Sequence, residues 1–283
     1  MNTVEFHNVT KQRKDFTIEN LNLAIPTGYI TGFIGPNGSG KTTTIQMMMD
    51  ILQFDEGDIH IFETSHKNHH SKQKIGFVYD DLYMYEEFNI KKMKSFIAPL
   101  YHTWNEQLFQ EYLKAFELPL RKKIKHFSKG MKMKCSLLFA LSHEPEFIVM
   151  DEPTSGLDPV FRREILEILQ DIMVKENQTI FLSTHITTDL DRIADHIIFI
   201  YQGKIVFQKN MEDIREQFYI VKGSLDMIDA DSRILFTGIR KNRLGFTALF
   251  EGNPTLFDDF EDDFVVEQAT LEDIMYFMTR KEL

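Results

Sequence analysis

The sequence has little of several features that define whole classes of protein. Its 283 residues include one cysteine, Cys135, so an intramolecular disulfide is excluded, and its helical surroundings predict a buried, small apolar residue. No apolar run approaches the roughly 20 residues that a membrane-spanning helix needs. The first residues lack the basic and apolar regions of a signal peptide, so we expect the protein in the cytoplasm.

Positive charge is also scarce. The chain has 32 Lys and Arg against 43 Asp and Glu, which gives a formal net charge of −11. Proteins that coat nucleic acid need a basic face for the phosphates, so this balance argues against that class and no nucleic-acid partner is expected. Internal repeats and coiled-coil heptads are absent from the sequence as well.

Short apolar runs alternate with helical patterns up to about residue 210, which favours an α/β fold with a largely parallel sheet covered on both faces. The first two predicted strands, at 4–9 and 16–24, have no helix between them, which indicates an antiparallel β edge. A helix is predicted over Lys41 to Leu52. The pattern is helical over residues 89–118, within an inserted helical subdomain that we place at about 80–142.

The character of the sequence changes after about Met211. Short β-like runs with several glycines are followed by an amphipathic segment from Leu271 to Met278. We therefore predict two units, residues 1–210 as the main domain and residues 211–283 as a small C-terminal α+β appendage.

A glycine-rich segment follows the apolar strand that ends near Ile34 and precedes the helix that starts near Lys41. It fits the pattern G-x-x-x-x-G-K-[ST] without a mismatch. Glycines let the backbone turn several N–H groups towards one anion, and the helix adds the positive end of its dipole. Lys41 would reach the β- and γ-phosphates of a nucleotide, and Thr42 would offer its hydroxyl to Mg²⁺. The predicted phosphate-binding residues are Gly35, Pro36, Asn37, Gly38, Ser39, Gly40, Lys41, Thr42 and Thr43.

Two adjacent carboxylates end another apolar strand, Phe147 to Met150. Asp151 would hold the Mg²⁺ shell, as the second acidic motif of P-loop ATPases does. Glu152 lies one residue further, where it could polarise the attacking water. Together with the P-loop, this pair predicts ATP and Mg²⁺ as cofactors.

Three further segments make the family resemblance plain. Ser128-Lys129-Gly130-Met131 precedes the acidic pair, Ser155-Gly156-Leu157-Asp158 follows it, and Ser183-Thr184-His185 comes later. With the P-loop, these segments resemble the nucleotide-binding domain of ABC transporters over roughly residues 1–210. The resemblance implies a P-loop NTPase core and an ATPase that works as a dimer beneath a separate membrane-spanning permease.

The resemblance also implies roles for the matched residues. Ser128, Lys129, Gly130 and Met131 match the signature motif, which faces the γ-phosphate bound on the opposite subunit. Residues 155–158 match the loop that links the two sites across the dimer. His185 matches the switch histidine that contacts the γ-phosphate.

The sequence departs from the family pattern at three places. The family's signature usually begins with leucine, serine and two glycines, whereas Phe127 and Lys129 replace the leucine and one glycine here. This variant resembles a subgroup of bacterial exporters, including those for peptide antibiotics. The usual magnesium-side glutamine is replaced by Asp80, which could contact Mg²⁺ through water. The usual adenine-stacking tyrosine corresponds to Arg13, and Phe16 is a second candidate for stacking.

Two other polar segments suggest sites but favour simpler interpretations. His66, His69 and His70 lack carboxylate or cysteine neighbours in sequence, so a solvated loop is favoured over a metal site. The basic run 121–125 is predicted to be a solvated face, with contact to a membrane or partner as the alternative.

We therefore expect an ATP-hydrolysing motor subunit of an exporter, acting as a homodimer or as a heterodimer with a homologous ATPase, on the inner face of the membrane through its permease. The segment between Asp80 and about Leu118 would dock onto that permease. One alternative is a soluble ABC ATPase that acts on ribosomes or DNA. Another is a regulatory subunit that binds ATP without turnover, which Glu152 and His185 argue against.

Overall fold

The computed structural model describes residues 1–79, 84–176, 178–228, 232–260 and 263–280, without the side chains of residues 175, 176, 232, 259 and 260. Asp80, a predicted magnesium residue, lies outside the described residues, so its role stays a prediction.

Strands and helices alternate along most of the described chain. The strands are β1 (Asn2–Gln12), β2 (Thr17–Pro26), β3 (Ile30–Ile34), β4 (Glu56–Ile61), β5 (Thr64–Ser65), β6 (Ile75–Val78), β7 (Phe147–Asp151), β8 (Thr179–Thr184), β9 (His196–Tyr201), β10 (Lys204–Asn210), β11 (Phe218–Gly223), β12 (Phe236–Asn242), β13 (Gly245–Glu251) and β14 (Phe264–Gln268). The helices are α1 (Lys41–Met48), α2 (His69–Lys72), α3 (Ile90–Ile97), α4 (Glu106–Ala115), α5 (Lys129–Leu141), α6 (Pro159–Glu176), α7 (Thr187–Ile193), α8 (Met211–Gln217) and α9 (Leu271–Thr279). Within the described ranges, none of these helices has the length and apolar character needed to cross a bilayer.

The central sheet has the strand order β10-β9-β3-β8-β7-β6, and all of its pairings are parallel except that of β10 with β9. Every residue of β3, β7 and β8 is buried, as expected for strands covered on both faces. Ile34 pairs with Thr184, and Asp151 pairs with Ser183. The carboxyl ends of these three strands therefore meet at one edge, where the following loops come together.

A second sheet, with the order β2-β1-β4-β5, is antiparallel throughout, which agrees with the predicted β edge. Helix α1 connects β3 to this sheet but ends at Met48, earlier than the predicted Leu52. The backbone of Asp50 has a φ of 59°, in the left-handed region that a right-handed helix cannot contain. This turn sends the chain towards β4.

Helices α3, α4 and α5 lie between β6 and β7, where the helical subdomain is predicted. The helical pattern over 89–118 is divided into α3 and α4, because Pro99 lies in a short 3₁₀ turn and cannot continue an α-helix. Asn89 and Asn105 begin the two helices, and each side chain accepts a backbone N–H bond from the residue three positions later. The basic run 121–125 is exposed apart from Ile124, as predicted.

The C-terminal region forms an antiparallel sheet with the order β12-β13-β11-β14, packed with α9. One side of the sheet encloses a core that includes Phe246, Phe250 and Phe257. Leu271 and Ile274 of α9 belong instead to the large core that also contains α7. The two units on either side of the predicted boundary near residue 210 therefore share one hydrophobic core.

Two predictions about single side chains have different outcomes. Cys135 is fully buried and burial raises the pKa of its thiol to about 12, which confirms the apolar interpretation. The solvated loop is wrong for His66, which is 4% exposed, packs on Phe54 and donates from Nδ1 to the Ile59 carbonyl at 3.3 Å. The neighbouring strand β4 covers it, a contact that the polar sequence around it does not indicate.

The loop after α5 generates a test of folding energetics. His143 is buried and stacks on Tyr101 with ring centroids 3.8 Å apart, and burial lowers the pKa of His143 to about 4. The unfolded chain takes up a proton below its ordinary pKa of about 6.5, while the folded chain stays neutral down to about 4. The contribution of neutral His143 to the free energy of unfolding is therefore fully present above pH 6.5. It is lost as the pH falls from 6.5 towards 4.

We expect the free energy of unfolding to fall between pH 7 and pH 5 by about 2 kcal/mol more in the wild type than in His143→Phe, which keeps a ring on Tyr101. Urea titrations at the two pH values measure this difference. The exposed His102→Phe is the matched control and should follow the wild type. Equal losses in the wild type and His143→Phe would contradict the assignment.

Candidate functional site

The glycine-rich loop between β3 and α1 turns sharply because two of its glycines adopt left-handed backbone angles. Gly38 has a φ of 80° and Gly40 a φ of 116°. A Cβ atom at Gly40 would lie 3.0 Å from the Phe16 ring, so a side chain there would press on the cleft wall. Lys41 is the first residue of α1, and the free N–H groups of this helix start therefore face the loop's concave side.

Lys41 is a buried cation, 6% exposed, at the floor of the resulting cleft. Its Nζ donates to the Gly35 carbonyl oxygen at 2.7 Å and lies 3.4 Å from Oε1 of Glu152. A buried ammonium needs such partners because its desolvation is otherwise costly. An anionic ligand that enters the cleft would compete with Glu152 for this charge.

The two carboxylates after β7 have different environments. Asp151 is buried, and its Oδ1 accepts a hydrogen bond from the Ser183 hydroxyl at 2.5 Å. Glu152 has a φ of 51°, a strained angle for a residue with a side chain. Its N–H donates to the Ser183 carbonyl at 3.0 Å, so the neighbouring strand holds this turn in place.

His185 follows β8 and reaches the same carboxylate. Its Nδ1 donates to Oε2 of Glu152 at 2.7 Å, and its backbone N–H donates to the same oxygen at 3.3 Å. Since Lys41 lies against Oε1, both oxygens of Glu152 have cationic or N–H partners. Three strand ends thus converge on one carboxyl group, in an arrangement that can accept a proton from water and bind phosphate beside it.

The cleft has a volume of about 620 Å³, within the usual range for small-molecule sites. Arg13 and Phe16 form one wall, where the Arg13 N–H donates to the Phe16 carbonyl across a tight turn. The residues that line the cleft are Arg13, Asp15, Phe16, Asn37, Gly38, Gly40, Lys41, Thr42, Thr43, Lys129, Glu152, Ser155 and His185.

The segment 128–131 begins helix α5 at a different part of the same surface. The Ser128 hydroxyl accepts a hydrogen bond from the Met131 N–H at 3.2 Å, which makes it the cap of the helix. Gly130 is in close contact with α6, because a Cβ atom there would lie 2.6 Å from the Phe161 ring. Lys129 extends over Gly156, where a Cβ atom would lie 2.6 Å from the Lys129 Nζ, and reaches the cleft wall.

The structure thus brings together many, but not all, of the predicted site residues. Gly35, Pro36 and Ser39 build the loop. The predicted residues that are not among the described residues lining the cleft are Ser128, Gly130, Met131, Asp151, Gly156, Leu157 and Asp158. Two contributions were not predicted from the sequence. Ser183, named there only as part of the segment before His185, bonds Asp151 through its hydroxyl, and Asp15 lies at the cleft wall. The hydroxyl near the end of a buried strand was the available signal for Ser183.

Comparison with known proteins gives a consistent result. The family model described as "ABC transporter" matches residues 18–155. A bacitracin transport ATP-binding protein of Enterococcus faecalis is 31% identical over 219 residues, which cover 76% of this chain and 71% of the relative. A lantibiotic transport ATP-binding protein of Streptococcus pyogenes is 31% identical over 208 residues, which cover 71% of this chain and 89% of the relative.

Solved structures agree on the fold. The ATP-binding subunit of an ABC transporter has a TM-score of 0.67 at 26% identity, with 75% of this chain and 92% of that chain covered. A dimeric ATP-binding cassette bound to ADP and phosphate has a TM-score of 0.65 at 23% identity, with 74% and 98% covered. These similarities confirm the predicted P-loop NTPase fold class, and the named relatives favour transport over the ribosome- or DNA-acting alternative. The chain belongs to the ABC transporter family, as one of its ATP-binding, ATP-hydrolysing subunits.

Proposed function

We propose that this chain is the motor of an exporter and that two ATPase subunits close around two ATP molecules beneath a membrane-spanning permease. The observation that carries this proposal is the Glu152 carboxylate, held between Lys41 and His185 at the floor of the P-loop cleft. This arrangement combines phosphate binding with a positioned base. A regulatory subunit without turnover would not need the base.

In the proposed reaction, the loop N–H groups and the Lys41 ammonium bind the β- and γ-phosphates. The contact of Lys41 with Glu152 is replaced by a contact with the phosphates, and the carboxylate is then free to face a water molecule. The water oxygen forms a bond to the γ-phosphorus while the bond to the bridging oxygen of ADP breaks. The water proton passes to Glu152, and His185 stabilises the phosphate charge that develops.

Magnesium fits the oxygen donors in and next to the cleft. The Thr42 hydroxyl and the Asp151 carboxylate are the hard oxygen ligands that Mg²⁺ prefers, and Ser183 orients Asp151. No dense cluster of His, Cys, Asp or Glu that could hold a metal occurs in the described part of the chain. A Mg²⁺ ion that arrives with a nucleotide does not need such a cluster, because water and phosphate oxygens supply most of its ligands and the protein adds one or two oxygens. When bound, it would neutralise phosphate charge.

The signature residues support a composite site. Ser128 and Gly130 stand at the start of α5, outside the cleft of their own chain, where a hydroxyl and a helix N-terminus form an anion site for a second subunit. The similar cassette solved as a dimer with ADP and phosphate supports the same assembly. The second subunit is either a copy of this chain or a homologous ATPase.

An exposed aromatic patch beside α3 supports docking to a permease. Tyr85 and Phe96 are 73% and 56% exposed, and both stack near Phe88, with ring centroids 5.3 Å and 5.6 Å from it. Lys92 lies 3.7 Å above the Phe88 ring centroid. Rigid exposed aromatics are typical interface anchors, and this patch falls within the segment predicted to contact the membrane partner.

The relatives named for bacitracin and lantibiotic transport support a substrate of the peptide-antibiotic class. The substrate would bind the permease rather than this chain. We propose that the chain lies on the cytoplasmic face of the membrane and is held there by the permease.

Substitutions in the cleft test the proposed division of roles. Lys41→Ala should abolish ATP binding, because it removes the phosphate cation. Glu152→Gln should keep ATP affinity or improve it, since it removes a competing charge, but should lower hydrolysis by ~10²- to 10⁴-fold. Nucleotide affinity and phosphate release are measured separately, with Lys74→Ala, which lies outside the cleft, as a control. Hydrolysis at the wild-type rate by Glu152→Gln would refute the assignment of the base.

Assembly provides a second test. ATP bound at a composite site links two subunits, so Mg-ATP should convert Glu152→Gln from monomer to dimer, while Lys41→Ala stays monomeric. Light scattering with and without nucleotide gives the masses. A Glu152→Gln protein that remains monomeric at saturating ATP would exclude homodimer closure and leave a heterodimer.

Base selectivity provides a third test. The polar contacts proposed for the nucleotide go to its phosphates, and the base would meet only Arg13 and Phe16. Stacking tolerates any base and is worth ~1–3 kcal/mol. We expect kcat/KM for GTP to lie within about tenfold of that for ATP. We also expect Phe16→Ala to weaken the binding of both nucleotides to the same extent. Parallel steady-state assays decide this, and a hundredfold preference for ATP would reveal a base-reading contact.

A further inference from the structure

A ring of contacts runs from Glu152 through two helices outside the cleft and back. On one side, Glu152 accepts hydrogen bonds from His185, and α7 begins two residues later. On the other side, the Ser155 N–H donates to the Glu152 carbonyl at 3.1 Å. The same loop continues to Asp158, whose carboxylate accepts hydrogen bonds from the first backbone N–H groups of α6. The N-terminal ends of α6 and α7 are therefore both connected to Glu152.

The two helices approach each other at Arg162 of α6 and Asp189 of α7. Nε of Arg162 lies 4.0 Å from Oδ2 of Asp189, and Asp189 is 3% exposed. Both atoms are buried, and neither has a hydrogen-bond partner in the described part of the chain. Buried charged groups without hydrogen bonds are unfavourable, so the opposite charges of Arg162 and Asp189 stabilise each other. A movement of about 1 Å would bring them to the length of a charge-assisted hydrogen bond.

We propose that Arg162 and Asp189 are positioning residues that complete this ring and link the loop 155–158 to His185. The inference rests on the proposed role of Glu152 as the base. Arg162 is connected to the loop through the main chain, because its backbone N–H donates to the Asp158 carbonyl at 2.9 Å. Asp189 lies about one helical turn beyond His185. When the pair bonds, the two segments that flank the Glu152 carboxylate move as one unit.

This placement predicts an effect on turnover rather than on nucleotide binding. Neither Arg162 nor Asp189 is among the described residues that line the cleft, so neither is placed to contact a nucleotide bound there. A displaced base or histidine lowers the rate of the chemical step, and a misplacement of about 1 Å can cost as much as 10²-fold. A pair that only holds the helices together would instead lower the melting temperature and leave kcat unchanged below it.

The test compares Asp189→Asn, Arg162→Gln and the double variant in full-length protein. We expect kcat for ATP hydrolysis to fall about tenfold in each single variant, with KM and the ATP dissociation constant within about twofold of wild type. The double variant should be no slower than the slower single variant, because one broken link opens the ring. Arg162 is partly exposed, so Arg162→Gln retains the test if Asp189→Asn does not fold.

Glu164→Gln is the matched control. It breaks another ion pair of α6, in which Lys134 is buried and lies 2.6 Å from Glu164, but this pair is outside the ring. We expect its kcat to stay within about twofold of wild type even if its melting temperature falls. The inference would be overturned if both single variants kept the wild-type kcat. It would also be overturned if the losses of kcat in the two single variants multiplied in the double variant, or if Glu164→Gln lost as much kcat as they do. Failure of the proposed function would appear separately, as absent wild-type hydrolysis or full activity in Glu152→Gln.

Discussion

The contact of the Glu152 carboxylate with Lys41 on one side and His185 on the other is the constraint around which the site is organised. The lysine is buried, and a buried ammonium without an anion would be strongly destabilising. The chain alone therefore contains a neutralised pair at the position where phosphate is proposed to bind. In the proposed reaction, the nucleotide phosphates replace Glu152 as the anion beside Lys41, so this buried cation is never left unpaired.

This contact depends on a rigid parallel sheet. The loop after β3 supplies Lys41, the end of β7 leads to Glu152, and the segment after β8 supplies His185, and the three strands are neighbours with all their residues buried. Glu152 has a left-handed backbone angle, which is unfavourable and persists because β8 holds its N–H. Strain of this kind requires a well-packed scaffold, and the fully buried strands provide it.

The elements outside the cleft extend the same organisation. Helix α7 follows His185 and packs between α6 and the C-terminal helix α9, so that the buried residues of all three belong to one core. The C-terminal sheet is thus connected to the helix that follows His185 through packed side chains. Close-packed side chains transmit small displacements, because protein interiors have few voids to absorb them.

The sequence by itself determined the parts of this protein that consecutive residues encode. The P-loop, the acidic pair after an apolar strand and the segment around His185 are local patterns, and their order predicts the family, the fold class and the cleft. Only the tertiary structure decided which distant residues meet: Glu152 with His185, Arg162 with Asp189, Ser183 with Asp151, and β4 over His66. Such contacts depend on strand order and helix packing, and the same local sequence is compatible with many of both.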